Sequence, residues 1–496
     1  MALWRRNSAK GAEARQETGF GPAAYARLAE RVDVAKRLAS ERGRGILASV
    51  TVRLPAGIDS LAHIEAALRP GDPWSAFVQR ARDEFSLVTL GTATRVTAIG
   101  ADRFADATRF CGEALEAALL DDLNDDPSAP PGSGVIWTGG FAFLDDGPLT
   151  DVWRDLPVLE FVLPRVAISR RGGSDPQARM TLSVLVEPDS VAAEELAAVE
   201  RLVERLKLDE DLGPSSFVAH TGDAAIASVA PPEHFERAVA DGAAQIRKGD
   251  FEKIVLAREV TLRRENDIDP FNALRGLGDA FPECTVFAIG KGATTFIGAS
   301  PELLIRREGR RASTMALAGS TRRGADSETD ALLGTQLLES EKNRKEHDIV
   351  VKRIERVLGR HSAWIAAGEA PELVRVKNIQ HLATPIRAQL TEPRPVLQLA
   401  GMLHPTPAVG GEPWSDVRQR IGQLEGFNRG WYAGGVGWTD LFEDGEFHVA
   451  LRSAVIDGSQ ARLFAGCGIV GDSDPAAELA ETETKLQALL PVLSAS

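Results

Sequence analysis

The sequence is poor in cysteine and lacks long apolar runs. Its 496 residues include three cysteines, Cys111, Cys284 and Cys467, which are far apart and form no CxxC pair. This usage argues against a cysteine-based metal site and favours reduced thiols in a cytoplasm. No apolar run reaches the roughly 18 residues of a membrane span, and no apolar segment follows the basic residues near the N-terminus, as a secretory signal requires. We therefore expect a cytoplasmic protein without a membrane partner.

Blocks of like charge are also absent. The formal net charge is −14, and 44% of the residues are hydrophobic and 26% charged, as in ordinary globular proteins. An acidic surface repels nucleic acid and anionic membranes, so neither is an expected partner. If the substrate is itself an anion, particular arginine and lysine side chains in a cleft must overcome the overall field.

The chain has no GxxxxGK[ST] segment, which removes the main support for a P-loop, and it has no HExxH segment. Short β-rich runs and helical stretches follow one another without strict βαβ alternation. This order favours an α+β fold with antiparallel sheets covered by helices. Examples are a helix predicted over 22–42 and strands predicted over Ile46–Leu54 and Phe85–Leu90.

The chain divides by composition into three parts. Residues 1–20 are polar and are predicted to be a disordered tail. Residues 21–230 are predicted to form the N-terminal half of the fold, and residues 231–496 contain the candidate catalytic residues described below. The connector over 207–232 is marked by glycine, serine and proline.

Two polar residues interrupt apolar strand patterns in the second half of the chain. Lys253 lies near the start of the run Phe251–Leu262, where a lysine is commonly an edge residue with its stem along apolar surface. The alternative is a lysine deprived of water, which gives up its proton more easily and can act as a general base. Glu302 follows an apolar run and a Gly-Ala-Ser-Pro turn. It is either a surface glutamate or a carboxyl group among apolar residues, where a raised pKa allows it to donate a proton.

A carboxylate also continues an apolar stripe on the helix predicted over Glu339–Arg360. Glu346 precedes Val350 by four residues and therefore lies on the same face as Val350 and Ile354. A carboxylate in such a place costs free energy unless it is paired or binds a metal. Either a salt bridge to a basic residue elsewhere or a metal site would satisfy Glu346.

The last predicted helix, Pro475–Val492, carries three charged residues on one face. Glu478, Glu481 and Lys485 stand at positions i, i+3 and i+7. Glu481 and Lys485 could form an ordinary exposed ion pair. Alternatively, the two glutamates are oxygen ligands for Mg²⁺ and Lys485 is a cationic neighbour for an anionic substrate.

Residues 230–492 resemble the chorismate-utilising enzymes, which include isochorismate synthase, salicylate synthase and the large subunits of anthranilate and aminodeoxychorismate synthase. The motifs that carry the resemblance are, in chain order, KIVLAR, GASPELL, LAGSTRR, SEKNRKEH, HLATP, LHPTPAVGG, GFNRGWYAGGVGW, ALRSAV, FAGCGIV and ETETKL. Each motif is weak alone, and their number and order make the resemblance specific. It implies a large α+β fold of two sheet-based halves, with helices packed outside around a central cleft.

The resemblance also implies a site. It implies that Mg²⁺ holds a carboxylate of chorismate and is bound by Glu346 and Glu481, with Glu478 close by. It assigns the role of general base to Lys253 and that of general acid to Glu302. The positions that it assigns to substrate binding are Ala318, Gly319, His381, Thr384, Tyr432, Arg452, Gly466, Gly468 and Lys485.

Particular positions distinguish the members of the family. Lysine at Lys253 resembles the enzymes that use water as nucleophile, whereas the ammonia-using enzymes usually carry glutamine there. Alanine at Ala318 argues against aminodeoxychorismate synthase, in which a nucleophilic lysine is typical, and no glutaminase domain is evident. The HLATP motif is more similar to isochorismate synthase than to salicylate synthase.

The expected function is therefore isochorismate synthase, a monomeric isomerase that converts chorismate to isochorismate. The alternative is salicylate synthase, in which the same site also eliminates pyruvate. A catalytically silent chorismate-binding protein is a further alternative, against which the presence of Lys253, Glu302, Glu346 and Glu481 together argues. Whether the product enters menaquinone or siderophore biosynthesis is left open.

Overall fold

The chain folds into two large antiparallel sheets with helices packed on them. The computed structural model describes residues 19–80, 84–121, 123, 126, 128–146, 149, 151–213, 216–220 and 222–496. The tail predicted over 1–20 lies outside the described residues except for its last two positions. No helix in these ranges is both long and apolar enough to cross a membrane.

Helices and strands follow one another irregularly along the chain. The helices are α1 (Pro22–Arg42), α2 (Ser60–Ala67), α3 (Arg103–Leu115), α4 (Ala192–Leu206), α5 (Pro232–Lys248), α6 (Pro270–Ala280), α7 (Ser327–Glu339), α8 (Glu341–Gly359), α9 (Val396–Leu403), α10 (Trp414–Glu425), α11 (Pro475–Leu486) and α12 (Leu490–Ala495). The strands are β1 (Ile46–Leu54), β2 (Trp74–Gln79), β3 (Phe85–Leu90), β4 (Thr94–Ala98), β5 (Ile136–Phe141), β6 (Leu159–Leu163), β7 (Val166–Arg171), β8 (Gln177–Val186), β9 (Ala224–Ser228), β10 (Lys253–Arg264), β11 (Thr285–Lys291), β12 (Thr294–Ser300), β13 (Leu303–Glu308), β14 (Arg311–Arg322), β15 (Ser362–Ala367), β16 (Glu372–Arg375), β17 (Ile379–Leu390), β18 (Gly411–Glu412), β19 (Gly435–Asp440), β20 (Gly445–Val449), β21 (Ser453–Asp457) and β22 (Gln460–Ile469).

The strand order confirms the predicted α+β fold. Sheet 1 has the order β1-β8-β7-β3-β2-β11-β12-β21-β22-β10-β18, and β9 also pairs with β10. Sheet 2 has the order β15-β17-β14-β13-β20-β19-β5-β6-β4, and β16 also pairs with β17. One apolar core includes residues of both sheets and of α5, α8, α9 and α10. A second core packs α1, α2, α4 and α6 against sheet 1.

Strands from the first 230 residues complete both sheets. β1, β2, β3, β7 and β8 extend sheet 1, and β4, β5 and β6 extend sheet 2. The N-terminal half of the chain therefore shares both sheets with the C-terminal half. The division of the chain into two parts at residue 230 stays a prediction.

Local signals set the ends of α1. Pro22 occupies the first turn, where a missing N–H costs nothing. Gly43 ends the helix in the left-handed region, at φ 66°, and donates its N–H to Ala39 O. The helix predicted over 22–42 is therefore confirmed, as is the strand Ile46–Leu54.

The helix predicted over Pro475–Val492 is wrong in its extent. The structure has two helices, α11 and α12, separated at Gln487–Leu489. Pro491 explains the break, because its ring nitrogen cannot donate to the carbonyl of Gln487 and the ring clashes with that carbonyl in a continuous helix.

Two crossings between the sheets lie side by side. The chain leaves sheet 1 after β12 and enters sheet 2 at β13, and Glu302 lies in this first crossover, residues 301–302. It returns from β20 to β21 through the second crossover, 450–452, which ends in Arg452. Val449 N donates to Glu302 O at 3.1 Å, and Ala299 N donates to Arg452 O at 3.0 Å. The fold thus brings Glu302 and Arg452 to one place from distant parts of the sequence.

Candidate active site

A cavity of about 120 Å³ lies where the two sheets meet α8 and α11. Its walls include strands β10 and β22 of sheet 1 and strands β14 and β17 of sheet 2. Of the residues predicted for the site, those on its wall are Glu302, Ala318, Gly319, Glu346, His381, Tyr432, Arg452, Gly466, Gly468, Glu478, Glu481 and Lys485. Lys253 and Thr384 are the two predicted residues that are not on the wall.

A larger and more open cleft, of about 500 Å³, lies along the outer face of α8. Charged side chains such as Arg344, Lys352 and Glu412 line it, and none of the predicted site residues does. The smaller cavity is therefore the candidate active site.

Lys253 is fully buried directly behind the cavity wall. It begins β10, which has neighbours on both sides in sheet 1, so it is not a snorkelling edge residue. Its Nζ lies 2.8 Å from Glu346 Oε1. A Cβ added to Gly468 would collide with Glu346 Oε1 and lie 2.9 Å from Lys253 Cε. The glycine therefore makes room for this ion pair.

Glu302 is buried, with 3% of its surface exposed, and is not the surface glutamate of the simpler interpretation. Burial raises its pKa to about 8, although Lys253, Thr406 and Lys485 favour the charged form. At neutral pH the carboxyl group therefore holds a proton that it can donate.

Three carboxylates on the wall each have a lysine partner. Glu346 pairs with Lys253, as described above. Glu478 Oε1 lies 3.3 Å from Lys342 Nζ, and Glu481 Oε1 lies 2.8 Å from Lys485 Nζ. The Glu481–Lys485 pair expected of an exposed helix does form, but it lies inside the cavity.

The partners of Glu481 keep it charged. Burial opposes its ionisation, but Lys485 and the Ser320 hydroxyl, which donates to Glu481 Oε1 at 2.9 Å, lower its pKa. Lys485 in turn donates to Gly466 O at 2.8 Å, and its pKa is raised because Glu481 outweighs the effect of burial.

The donor set of this wall fits a hard cation. Carboxylate oxygens of Glu346, Glu478 and Glu481 face one cavity, and Mg²⁺ prefers such oxygens and commonly retains water or substrate oxygens as further ligands. Among the described residues, no group of three histidine, cysteine, aspartate or glutamate side chains is arranged to hold a metal by itself. The oxygen donors of the wall are of the kind that Mg²⁺ binds.

Arg452 is a half-buried cation held by neutral groups. Its Nη2 donates to His381 Nε2 at 2.8 Å, and its Nη1 donates to Cys284 Sγ at 3.7 Å. Burial, Arg452 and Lys485 lower the pKa of His381 well below its usual range, so the imidazole accepts as a neutral group. No carboxylate in the described ranges pairs with Arg452, so its charge is available to an anionic ligand.

Thr384 lies away from the cavity because of strand alternation. His381 and Thr384 are three residues apart in β17, so their side chains lie on opposite faces of the strand. The Thr384 hydroxyl donates to His347 Nε2 at 2.7 Å, and His347 Nδ1 donates to Ala318 O at 3.3 Å. Thr384 therefore supports the wall through His347 rather than lining it.

Gly466 allows β22 to lie close against β10. A Cβ on Gly466 would come within 2.7 Å of Leu256 O. Gly466, Gly468 and Gly471 also have GxGxxG spacing. Because β22 is antiparallel to both neighbours, this segment is not the phosphate loop of a parallel βαβ unit.

The cavity wall also has residues that the motifs did not single out. Lys342 lies four residues before Glu346 on α8, a spacing that could have revealed it. Arg429 is bound by Glu425 and by Val409 O, so it is committed to the fold. Nothing local in the sequence places Cys284 beside Arg452, because β11 and β21 are both neighbours of β12 only in the folded sheet.

Comparison with known proteins identifies the family of the chain. The family described as chorismate binding enzyme matches residues 33–494. A salicylate biosynthesis isochorismate synthase of Pseudomonas aeruginosa is 37% identical over 412 residues, 83% of each chain. The isochorismate synthase MenF of Bacillus subtilis is 43% identical over 257 residues, which cover 52% of this chain and 55% of that protein.

A solved structure has the same fold. The menaquinone-specific isochorismate synthase MenF of Escherichia coli superposes with a TM-score of 0.73 at 25% identity, over 94% of this chain and 100% of that one.

Proposed function

The chain belongs to the chorismate-binding enzymes, and from this premise we propose that it is an isochorismate synthase. The observation that carries the proposal is Glu302, a buried carboxyl group that keeps its proton at neutral pH on the wall of a cavity with cationic groups for an anionic substrate. Relatives named isochorismate synthase, one of them similar over 83% of its length, support the same activity.

In the proposed reaction, one water molecule adds a hydroxyl group at C2 of chorismate, and the hydroxyl group at C4 leaves as another water molecule. Lys253, in its neutral amine form, takes a proton from a water molecule as the oxygen of that water bonds to C2 of chorismate. The ring double bonds shift, and the C4–oxygen bond breaks. Glu302 donates its proton to the departing oxygen, which leaves as water. Base and acid catalysis of this kind contributes about 10²–10⁴-fold each.

The cavity supplies positions for the two carboxylates of the substrate. Arg452, whose guanidinium lacks an acidic partner among the described residues, is suited to bind the enolpyruvyl carboxylate in a bidentate manner. Mg²⁺ on Glu346 and Glu481, with Glu478 nearby, would orient the ring carboxylate and offset its charge. Lys485 and Tyr432 complete the wall around the ring.

The product decides between the two nearest activities. Purified protein incubated with chorismate and Mg²⁺ should yield an isomer of unchanged mass by chromatography with mass detection, and EDTA should prevent its formation. Salicylate together with pyruvate would instead identify a salicylate synthase. Absence of any conversion would favour a silent chorismate-binding protein.

The metal assignment predicts a large effect of Glu481→Gln. The amide removes a charged oxygen ligand but keeps the shape of the side chain, so we expect the Mg²⁺ concentration for half-maximal activity to rise at least about tenfold. Calorimetric titration with Mg²⁺ in the presence of chorismate provides a second measurement. Glu483→Gln is the matched control, because Glu483 is 61% exposed on the same helix. If the two variants gave the same Mg²⁺ titration, Glu481 would not be a metal ligand.

We also propose a monomer that acts in the cytoplasm without a glutaminase subunit. The three cysteines are free and buried, which suits a reducing compartment. Relatives include proteins named for menaquinone and for salicylate biosynthesis, so the cellular consumer of isochorismate is open between menaquinone and siderophore pathways.

A further inference from the structure

We propose that a buried polar cluster between the two sheets positions Glu302 for proton transfer. The inter-sheet clamp, as we name it, consists of Gln79 and Thr285 on sheet 1 and Glu446 and His448 on sheet 2. The inference rests on the proposed function in one respect, namely that Glu302 is the general acid of the reaction.

The clamp links the sheets through side chains. Gln79 Nε2 donates to Glu446 Oε1. His448 Nε2 lies 3.4 Å from the same Glu446 oxygen and 3.3 Å from Thr285 Oγ1. All four residues are at most 8% exposed, so water does not compete for these contacts. Polar networks in such a dry setting are strong when they are fully satisfied, and they specify one arrangement.

A further contact fixes the acidic member of the clamp. Arg306 Nε donates to Glu446 Oε2 at 2.6 Å, so both carboxylate oxygens are held. Burial opposes ionisation of Glu446, but His448 and Arg306 outweigh it and lower its pKa to about 2. The carboxylate of Glu446 is therefore held in its charged form by these partners.

Two residues of the clamp pair with the residues that flank the first crossover. Thr285 pairs with Ser300 across β11 and β12, and His448 pairs with Leu303 across β20 and β13. Ser300 and Leu303 are the last residue of β12 and the first of β13, so the clamp holds the strands on both sides of Glu302. Ser300 Oγ also donates to Val449 O at 2.6 Å, which ties the first crossover to the chain beside His448. A change in the angle between the sheets would therefore move Glu302 relative to the substrate.

The fold contains a matched link that does not approach the site. Lys291 of sheet 1 binds Glu160 of sheet 2, with Nζ 2.7 and 2.9 Å from the two carboxylate oxygens. Glu160 is 4% exposed, the same as Glu446. Lys291 ends β11 and Thr285 begins it, so the two links are roughly 20 Å apart along the strand. Both join the same sheets, but only the clamp flanks Glu302.

The test compares Glu446→Gln with Glu160→Gln in the full chain. Both variants should unfold at lower temperature than the wild type, because each weakens a buried inter-sheet ion pair. Misplacement of a reacting group by about 1 Å can cost 10²-fold in rate, so we expect Glu446→Gln to lower kcat by roughly 10- to 100-fold with little change in the KM for chorismate. Glu160→Gln should leave kcat within about twofold of the wild type.

A second pair of variants separates the hydrogen bond from the packing. Thr285→Val keeps the shape but removes the hydroxyl that contacts His448, whereas Thr285→Ser keeps the hydroxyl. We expect kcat to fall in the valine variant and to be retained in the serine variant. Equal kcat values for these two variants would contradict the clamp.

Hydrogen–deuterium exchange provides a measurement that does not depend on turnover. In Glu446→Gln, amides of 299–304 and 449–453 should exchange faster than in Glu160→Gln and in the wild type. If the wild type fails to convert chorismate, the proposed function fails, and the exchange data still decide whether the clamp holds the crossovers. Unchanged exchange in these segments, or equal kcat values for the two glutamine variants, would overturn the inference.

Discussion

Replacing Lys253 with alanine should abolish turnover of chorismate. Loss of a general base costs about 10²–10⁴-fold in rate, because the attacking water then has no positioned group to take its proton. Steady-state assays should show the loss in kcat.

The Lys253→Ala substitution affects two features of the site at once, and a second variant separates them. Lys253 also neutralises Glu346, so the alanine variant disturbs a predicted metal ligand together with the base. Lys253→Arg keeps a positive charge beside Glu346, but a guanidinium does not give up its proton and cannot act as a base. We expect Lys253→Arg to bind Mg²⁺ and chorismate in calorimetry while remaining inactive. Substantial activity in Lys253→Arg would show that the charge suffices and would refute the base assignment.

Glu302→Gln should also reduce kcat by about 10²–10⁴-fold, because the amide has the shape of the protonated carboxyl group but no proton to transfer. The wild-type rate should decline at alkaline pH as Glu302 ionises, near its pKa of about 8. This alkaline limb should disappear from the residual activity of Glu302→Gln. If Glu302→Gln kept both the wild-type rate and the decline of that rate at alkaline pH, Glu302 would be excluded as the general acid.

The same pKa predicts an effect on stability. Burial raises the pKa of Glu302 from 4.5 to about 8, so the folded chain holds a proton that the unfolded chain releases above about 4.5. The stability contributed by this proton is fully present below the unfolded pKa and is lost as the pH rises through the folded one. Between pH about 5 and about 9, the wild type should therefore lose stability relative to Glu302→Gln. Chemical denaturation of both proteins across this range measures the difference.

Local features of this fold could be predicted from the sequence, and long-range pairing could not. The ends of α1 follow from Pro22 and Gly43, and β1 follows from a run rich in apolar and β-branched residues. By contrast, the pairing of β2 with β11 joins residues about 200 positions apart, and nothing local specifies it. The resemblance to a known family was required to group the motifs into one site.

The same distinction between local and long-range features applies to the site. Spacing alone placed Glu478, Glu481 and Lys485 on one helical face, and all three line the cavity. Spacing along a strand also explains why His381 faces the cavity and Thr384 does not. The Lys253–Glu346 pair could not be predicted, because the two residues meet only when α8, packed on β14 and β17 of sheet 2, comes next to the start of β10 in sheet 1.

The most direct test of the proposed reaction is turnover of chorismate with Mg²⁺ in water enriched in ¹⁸O. If Lys253 activates water for addition at C2 and Glu302 expels the C4 hydroxyl, the first isochorismate formed should carry one heavy oxygen and should be two mass units heavier than unlabelled isochorismate. An isomer formed without the label would contradict the account, because the hydroxyl group would then have moved without exchange with water.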